Sequence, residues 1–474
     1  KLEHMKYTIL LISTLFISWT SEAQESQPMQ LSIHDAVKYA LENSIKTKAA
    51  KIDIIQAKKD VWIQASKGLP IVNGSVNFAN FIDIPTTVTP ADAFGFPDYL
   101  TDFLGGVSQQ TGVPINAPPP SGDGTTELQF GQPYNMDAGI SVGLQLFDGS
   151  YIIGVKGARG FEKLRKDQAR MTDNEVETIV AEAYYTSQIA KENVKLLSQN
   201  IENVQRTLNE TSKLYEAGFA EEMDVEQLDL LINSLKNRSK MATRQHSATL
   251  KLLKYQIGME VNNPIELTDD LETIWAVESD SALLACEFSL DNNLAYDLAK
   301  QDVVLHGYLV KLEEANYYPQ LHAFFDHKQQ AYRQDFDFFD FSKSWYPQTL
   351  WGIQLKIPIW DNLGGVAAIK KAKLEQQKVR NRLFDLEQAL TMQYTIAVDD
   401  FHSALEQLEN STKNIDLAER IQKKTLIRYN EGLASSMELT TAENQLITAQ
   451  TEYINTLFNA MDAKLGLKTV VDNN

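Results

Sequence analysis

The chain is short of the features that mark several common classes. Among 474 residues there is a single cysteine, Cys286, so no internal disulfide can form, and this thiol reads as an inert buried side chain. Lysine and arginine number 44 against 63 aspartates and glutamates, a formal charge of −19. Such a balance leaves no basic face for a nucleic-acid partner and points to an acidic, solvated exterior. After the first 23 residues no stretch approaches the roughly 20 continuous apolar residues of a spanning helix, so any membrane contact is not helical. The seven histidines are scattered, and neither an HExxH pair nor a nucleophile elbow occurs. This pattern offers no catalytic constellation, no metal site and no cofactor loop, so the chain is not read as an enzyme. GVKGARG, Gly154 to Gly160, has the wrong glycine spacing for a dinucleotide loop and reads as a strand-to-helix turn opening a basic helix start. DFDFFDF, Asp335 to Phe341, lacks the glycine turn and terminal glutamate of an EF-hand and reads as an external hairpin loop.

What is present is a folded composition, 43% hydrophobic, and a repeat. Residues 1–4, KLEH, precede a methionine and read as a vector-derived remnant, and residues 5–23 carry the charged start, short apolar middle and small-residue exit of a signal peptide. No cysteine follows to accept a lipid. The stretch YEAGFAEEMD, starting at Tyr215, returns as YNEGLASSME, starting at Tyr429, with glycines at Gly218 and Gly432, 214 positions apart. Phe147-Asp148 is answered by Trp360-Asp361, 213 positions on. The first repeat therefore spans 24–258 and the second 290–467, joined by a linker, 259–289, and followed by a tail, 468–474.

Each half has the same plan. A helix over 31–67 stops at Gly68-Leu69-Pro70, and one over 290–316 stops at Tyr318-Pro319. Alternating strands follow at 71–80 and 137–147, then at 320–327 and 350–359, with a long Pro, Gly and Thr-rich loop, 81–136, inserted in the first half. Proline-free helical hairpins complete the halves at 150–257 and 363–466. The run Val194, Leu197, Ile201, Val204, Leu208, Thr211, Tyr215 keeps a 3-4 spacing that predicts coiled-coil packing. A helix of that length reaches about 100 Å, far beyond any bilayer.

Strands with one apolar and one polar or small face carry the signature of an outer-membrane barrel, yet four cannot close one. Either several chains share a barrel or the strands form a soluble sheet. Aromatics flanking them (Phe78, Phe81, Phe147, Trp345, Tyr346, Trp351 and Trp360) fit an interfacial girdle and favour the barrel. The order of helix, Pro-ended strand, strand ending in Phe-Asp-Gly or Trp-Asp-Asn, long helix, Tyr-x-x-Gly tip and return helix, given twice, resembles the TolC-type outer-membrane efflux proteins across the whole mature chain.

That resemblance implies a mainly α fold with a membrane β part. Long antiparallel coiled-coil hairpins and four strands per chain trimerise into a 12-stranded barrel and an α-helical periplasmic tunnel. It implies an outer-membrane location, lipid around the barrel, and a passive export duct working with a periplasmic adaptor and an inner-membrane transporter. Gly218, Phe219, Gly432 and Leu433 become adaptor-docking residues at the hairpin tips; a solvated turn is the alternative. Asp224 and Glu438, six residues past each glycine, become an acidic aperture, although acids favoured at helix N-termini explain them equally well. Tyr429 and Asp224 match two parts of a lock on that aperture, which Tyr215 also borders, while the family's arginine is Ala434 here and its second acid is Thr441. A coiled-coil stalk or adhesin is the alternative function, which the repeated helical reversal disfavours.

Overall fold

The computed structural model describes residues 28–90, 98–114, 125–271, 275, 283–284 and 288–471. The leader and Cys286 fall outside them. The chain divides into two compact units, one formed by Trp62–Val155 and Lys311–Ile369 and the other by the remaining segments.

The smaller unit is built on a four-stranded antiparallel sheet, ordered β2 (Ile71–Asn80), β5 (Tyr134–Phe147), β7 (Gln320–Arg333) and β8 (Tyr346–Lys356). Register carries the sequence alternation across all four strands. Val72 lies opposite Val142, Val142 opposite Phe325, and Phe325 opposite Trp351, so one face is mainly apolar, with His327, Gln329 and Thr349 towards its loop end. The other face presents Asn73, Ser141, Asp326 and Gln354 along with glycines; Gly352 leaves the space that the Phe324 ring fills. A bulge at Leu146 shifts the register so that Phe147 pairs with Leu321, rotating Phe147 onto the apolar face. The strands exceed the sequence reading at their loop ends, β5 starting at Tyr134, β7 reaching Arg333 and β8 beginning at Tyr346; β8 stops at Lys356, before Pro358. The inserted 81–136 segment is not simply a loop. It contains β3 (Thr86–Pro90) paired with β4 (Thr125–Gln129), both rich in β-branched threonine, and helix α3 (Asp98–Thr111).

Aspartates open both helices that leave the sheet. Asp148 accepts from the Ser150 N–H (2.7 Å), the Ser150 hydroxyl (2.6 Å) and the Gln145 amide (2.5 Å). Asp361 accepts from the Tyr317 hydroxyl (2.9 Å) and the N–H groups of Leu363 and Gly365. Such caps satisfy first-turn donors and hold both carboxyls below the usual carboxylate range. The second turn also places Asn362 and Leu363 at positive φ (55° and 66°).

In the larger unit, α1 (Ile33–Asn43) and α2 (Ile45–Ser66) replace the single helix expected over 31–67. The break at Ser44 lies against a distant part of the chain. Gly258, at φ 76°, brings its Cα so near Asn43 that an added Cβ would meet the Asn43 carbonyl at 2.5 Å. The long helices are α4 (Gly149–Glu216), α5 (Glu222–Gln256), α7 (Gly364–Asn430) and α8 (Ser436–Val471); α6 (Leu294–Ala315) follows a short 3-10 turn at Leu290–Asn292. Helix α8 thus continues through most of the expected tail. Leu197 and Val204 of α4 pack with Leu228, Leu231, Ile232 and Leu235 of α5 and Ile447 of α8, the seam that the heptad spacing predicted. A second core is closed by a parallel pair, β1 (Met29–Leu31) with β6 (Ile265–Leu267). The fully buried Tyr184 donates to the Leu31 carbonyl (3.0 Å) and Asp269 (3.1 Å), and burial pushes its hydroxyl up to about 12. Among the described residues no helix is long and apolar enough to cross a membrane.

Candidate functional site at the helical tips

Both helical reversals use the same backbone device. Gly218 (φ 79°) and Gly432 (φ 72°) adopt the left-handed conformation that glycine takes at little cost. The Phe219 N–H donates to the Leu214 carbonyl (2.8 Å) and the Gly218 N–H to the Tyr215 carbonyl (2.9 Å). Leu433 and Gly432 repeat these bonds to Arg428 and Tyr429 at the same lengths. This is the Schellman motif, and it satisfies the last carbonyls of each helix while the residue after each glycine stays in solvent. Phe219 is 82% exposed and Leu433 64%. Four residues further on each tip sits an exposed methionine, Met223 or Met437, which the sequence reading did not single out. Each tip therefore offers a flexible apolar pair beside a rigid turn.

Neither acid projects free of its own turn. The Asp224 carboxylate accepts from the Glu221 N–H (3.0 Å), and the Glu438 carboxylate from the Ser435 N–H (2.8 Å) while the Ser435 hydroxyl accepts from the Glu438 N–H (3.2 Å). These are capping contacts, so the helix-terminus explanation left open above accounts for the carboxylate positions. Tyr429 does not bond Asp224. Its hydroxyl shares a 2.8 Å hydrogen bond with Thr211, a fully buried side chain of α4, and its pKa is raised, first by burial and further by the charge of Asp224. Tyr215 lies half exposed on the last turn of α4.

Sequence reading missed the polar contacts that tie the two hairpins together. Beside the Tyr429–Thr211 bond, Ser436 donates to Gln227 (3.0 Å), and further along the helices Asn200 donates to Gln450 (2.7 Å). Thr211 was visible only as a polar residue on an apolar stripe, and nothing in the pattern named its partner. Glu443 of α8 was missed as well. It is 4% exposed, accepts from the Gln422 amide (2.6 Å), and burial raises its carboxyl pKa. In the first repeat the same position is the exposed Asp229.

The expected aromatic girdle divides. Phe147 and the exposed Trp360 lie at the helix end of the sheet, and Phe78 lies at the loop end on the apolar face. Trp351, by contrast, sits in the middle of β8, level with Phe325, and Tyr346 opposes Gln330 on the polar face. Trp345 packs on Phe338, a fully buried member of a cluster with Phe78 and Phe336. The acids of the 335–341 loop are engaged within it: Asp337 pairs with Arg333 and Lys343, and Asp340 accepts from the Ser342 N–H and hydroxyl. The glycines of GVKGARG lie inside α4, not at a turn, where they admit close neighbours: Gly154 faces Gln64, Gly157 faces Tyr308 and Gly160 faces Leu305.

Solved structures that share this fold include outer-membrane channels. CusC, described with conformational changes accompanying folding and transmembrane channel formation, superposes with a TM-score of 0.70 at 14% identity, over 93% of this chain and 92% of that one. VceC of Vibrio cholerae gives 0.67 at 13% identity, over 93% and 96%. The open state of the MtrE channel of Neisseria gonorrhoeae gives 0.69 at 14% identity, over 93% and 88%. No curated protein sequence matches significantly. The family model for outer membrane efflux proteins matches residues 121–257 and 289–471, more than half the chain, and the protein belongs to that outer membrane efflux protein family.

Proposed function

We propose that three copies of this chain form a passive duct through the outer membrane. The observation that carries the reading is a four-stranded sheet with one mainly apolar face, polar only towards the loop end at His327, Gln329 and Thr349, and with two edges, β2 and β8, that pair with no further described strand. Lipid tolerates no open edge, so the edges must meet other strands. Two copies would supply eight strands, whose interior is filled by side chains, whereas three supply twelve and leave room for water. The apolar residues also slip along the strands, from Val72–Phe78 on β2 to Leu321–Phe325 on β7, several residues nearer the helix end. Such a slip is what strands inclined at roughly 45° to the membrane normal require.

The polar face then lines the lumen, and the four long helices of each chain continue the duct through the periplasm. The tips, with Gly218, Phe219, Gly432 and Leu433, dock a periplasmic adaptor that couples the duct to an inner-membrane transporter. Asp224, Glu438, Tyr429 and Tyr215 border the aperture. Solutes move by diffusion, and the protein supplies a path rather than a reaction.

Planar-bilayer recording of the purified protein, with native mass spectrometry of the same sample, tests the reading. A trimer with a small cation-selective conductance, altered by Asp224→Asn with Glu438→Gln, is the expected result. A folded monomer that neither conducts nor opens with an adaptor returns the stalk alternative.

A further inference from the structure

The charge of the chain is unevenly placed. Residues 68–148 contain no lysine or arginine and eight acids. The helical segments that adjoin the sheet in sequence are the reverse: 45–67 carries six bases and two acids, 149–170 six and two, and 364–383 six and one. Only α6, with two bases and four acids, departs from this. A chain of net charge −19 thus concentrates its positive charge in three helical stretches next to the strands, a feature that the overall balance conceals.

On α4 the bases form one face. Lys156, Arg159, Lys163, Lys166 and Arg170 are spaced 3-4-3-4, and all are exposed. Glu162 pairs with Lys166 (2.7 Å) and Asp167 with Arg170 (3.8 Å), while Lys156, Arg159 and Lys163 make no ion pair with a described residue. The direction of this face follows from the packing. Gly157 and Gly160 lie against α6 and Gly154 against α2. At about 100° per residue these neighbours stand about 90° apart around α4, leaving a wider arc of about 270° that holds the basic stripe. In a closed ring of helices the wider arc is the convex one, so the stripe looks outward, away from the lumen.

Its height decides the partner. Lys156 stands eight residues past Asp148, about 12 Å along the helix, and Arg170 about 33 Å. Exposed Ile152 extends the apolar surface on this side about 6 Å past Asp148, and lipid headgroups add only about 5 to 8 Å more, so the stripe from Arg159 onward, about 17 Å past Asp148, lies beyond them. From this we infer that the stripe Lys156-Arg159-Lys163-Lys166-Arg170 is a docking surface for the carboxylate-bearing glycan and peptide polymer of the cell wall, holding the duct where it passes through that layer. The inference rests on the outer-membrane duct proposed above and adds a partner to it. Spaced cations along some 21 Å of rigid helix match an extended polyanion better than a compact anion.

Co-sedimentation of the purified detergent-solubilised protein with isolated peptidoglycan sacculi tests it. Binding in low salt that is lost by about 0.5 M salt is expected, because exposed charges are screened within a few ångströms there. Lys156→Gln with Arg159→Gln and Lys163→Gln should lower the sedimented fraction about tenfold, at two- to threefold per contact. Lys236→Gln with Arg238→Gln and Lys240→Gln, three exposed bases of α5, should leave it unchanged. Equal sedimentation of the two triple variants overturns the inference. So does binding to anionic phospholipid vesicles without binding to sacculi, and so does a change of pore ion selectivity in the α4 variant, which would place the stripe in the lumen. Loss of trimer and conductance with sacculus binding retained would strike the duct and spare the docking surface.

Discussion

Gly432 holds a φ of 72° in open space, so replacing it by alanine meets no neighbour and costs only the left-handed backbone strain, about 1 kcal/mol. Amide exchange in the second tip should quicken about fivefold in Gly432→Ala, with the rest of α7 unaffected. Tyr429→Phe leaves the buried Thr211 hydroxyl without its partner, and a loss of about 1 kcal/mol is expected by thermal unfolding, together with more frequent opening in bilayer recordings. Glu443 works in the other direction. Because burial raises its pKa in the folded chain, its contribution is complete below the unfolded value near 4.5 and is lost as pH rises through the folded value. Glu443→Gln keeps an acceptor for Gln422 and removes the buried charge, so it should raise the melting temperature at pH 7 and make little difference at pH 4. The tip glycines were legible because left-handed turns demand them. Partners such as Thr211 were not, since a hydrogen bond 218 residues away in sequence leaves no local trace.

Helices and strands were legible where periodicity alone fixes them. The Val194–Leu208 stripe gave the seam with α5, and the alternation of β5 and β8 gave the two faces of the sheet. Ser44 shows the limit: the break in its helix lies against Gly258, from the far end of the repeat, which no window around Ser44 contains. The sheet also separates two substitutions of identical chemistry on adjacent residues. Ile353→Arg puts a charge on the apolar face and should destabilise the inserted barrel by about 2 to 4 kcal/mol, whereas Gln354→Arg faces the polar side and should insert normally. Urea titration in lipid vesicles reads both.

At the scale of the whole molecule, charge and apolarity are segregated along the chain: a sheet with an apolar face, basic helical stretches beside it, and apolar tips. Single-sequence reading recovered the repeat and the tips and noted one basic helix start, at 154–160, but passed over the other basic stretches, because the excess of acids elsewhere hid them in the total. One earlier feature also governs how the protein comes into being. β1, at residues 29–31, has its only pairing partner among the described residues at 265–267, and Tyr184 and Asp269 clamp the two. A chain entering the periplasm from its N-terminus therefore holds Leu31 without a home until more than two hundred further residues have arrived, so the first repeat cannot seal its core during export. Assembly must wait for the linker, and escorts that shield apolar segments have that interval in which to act.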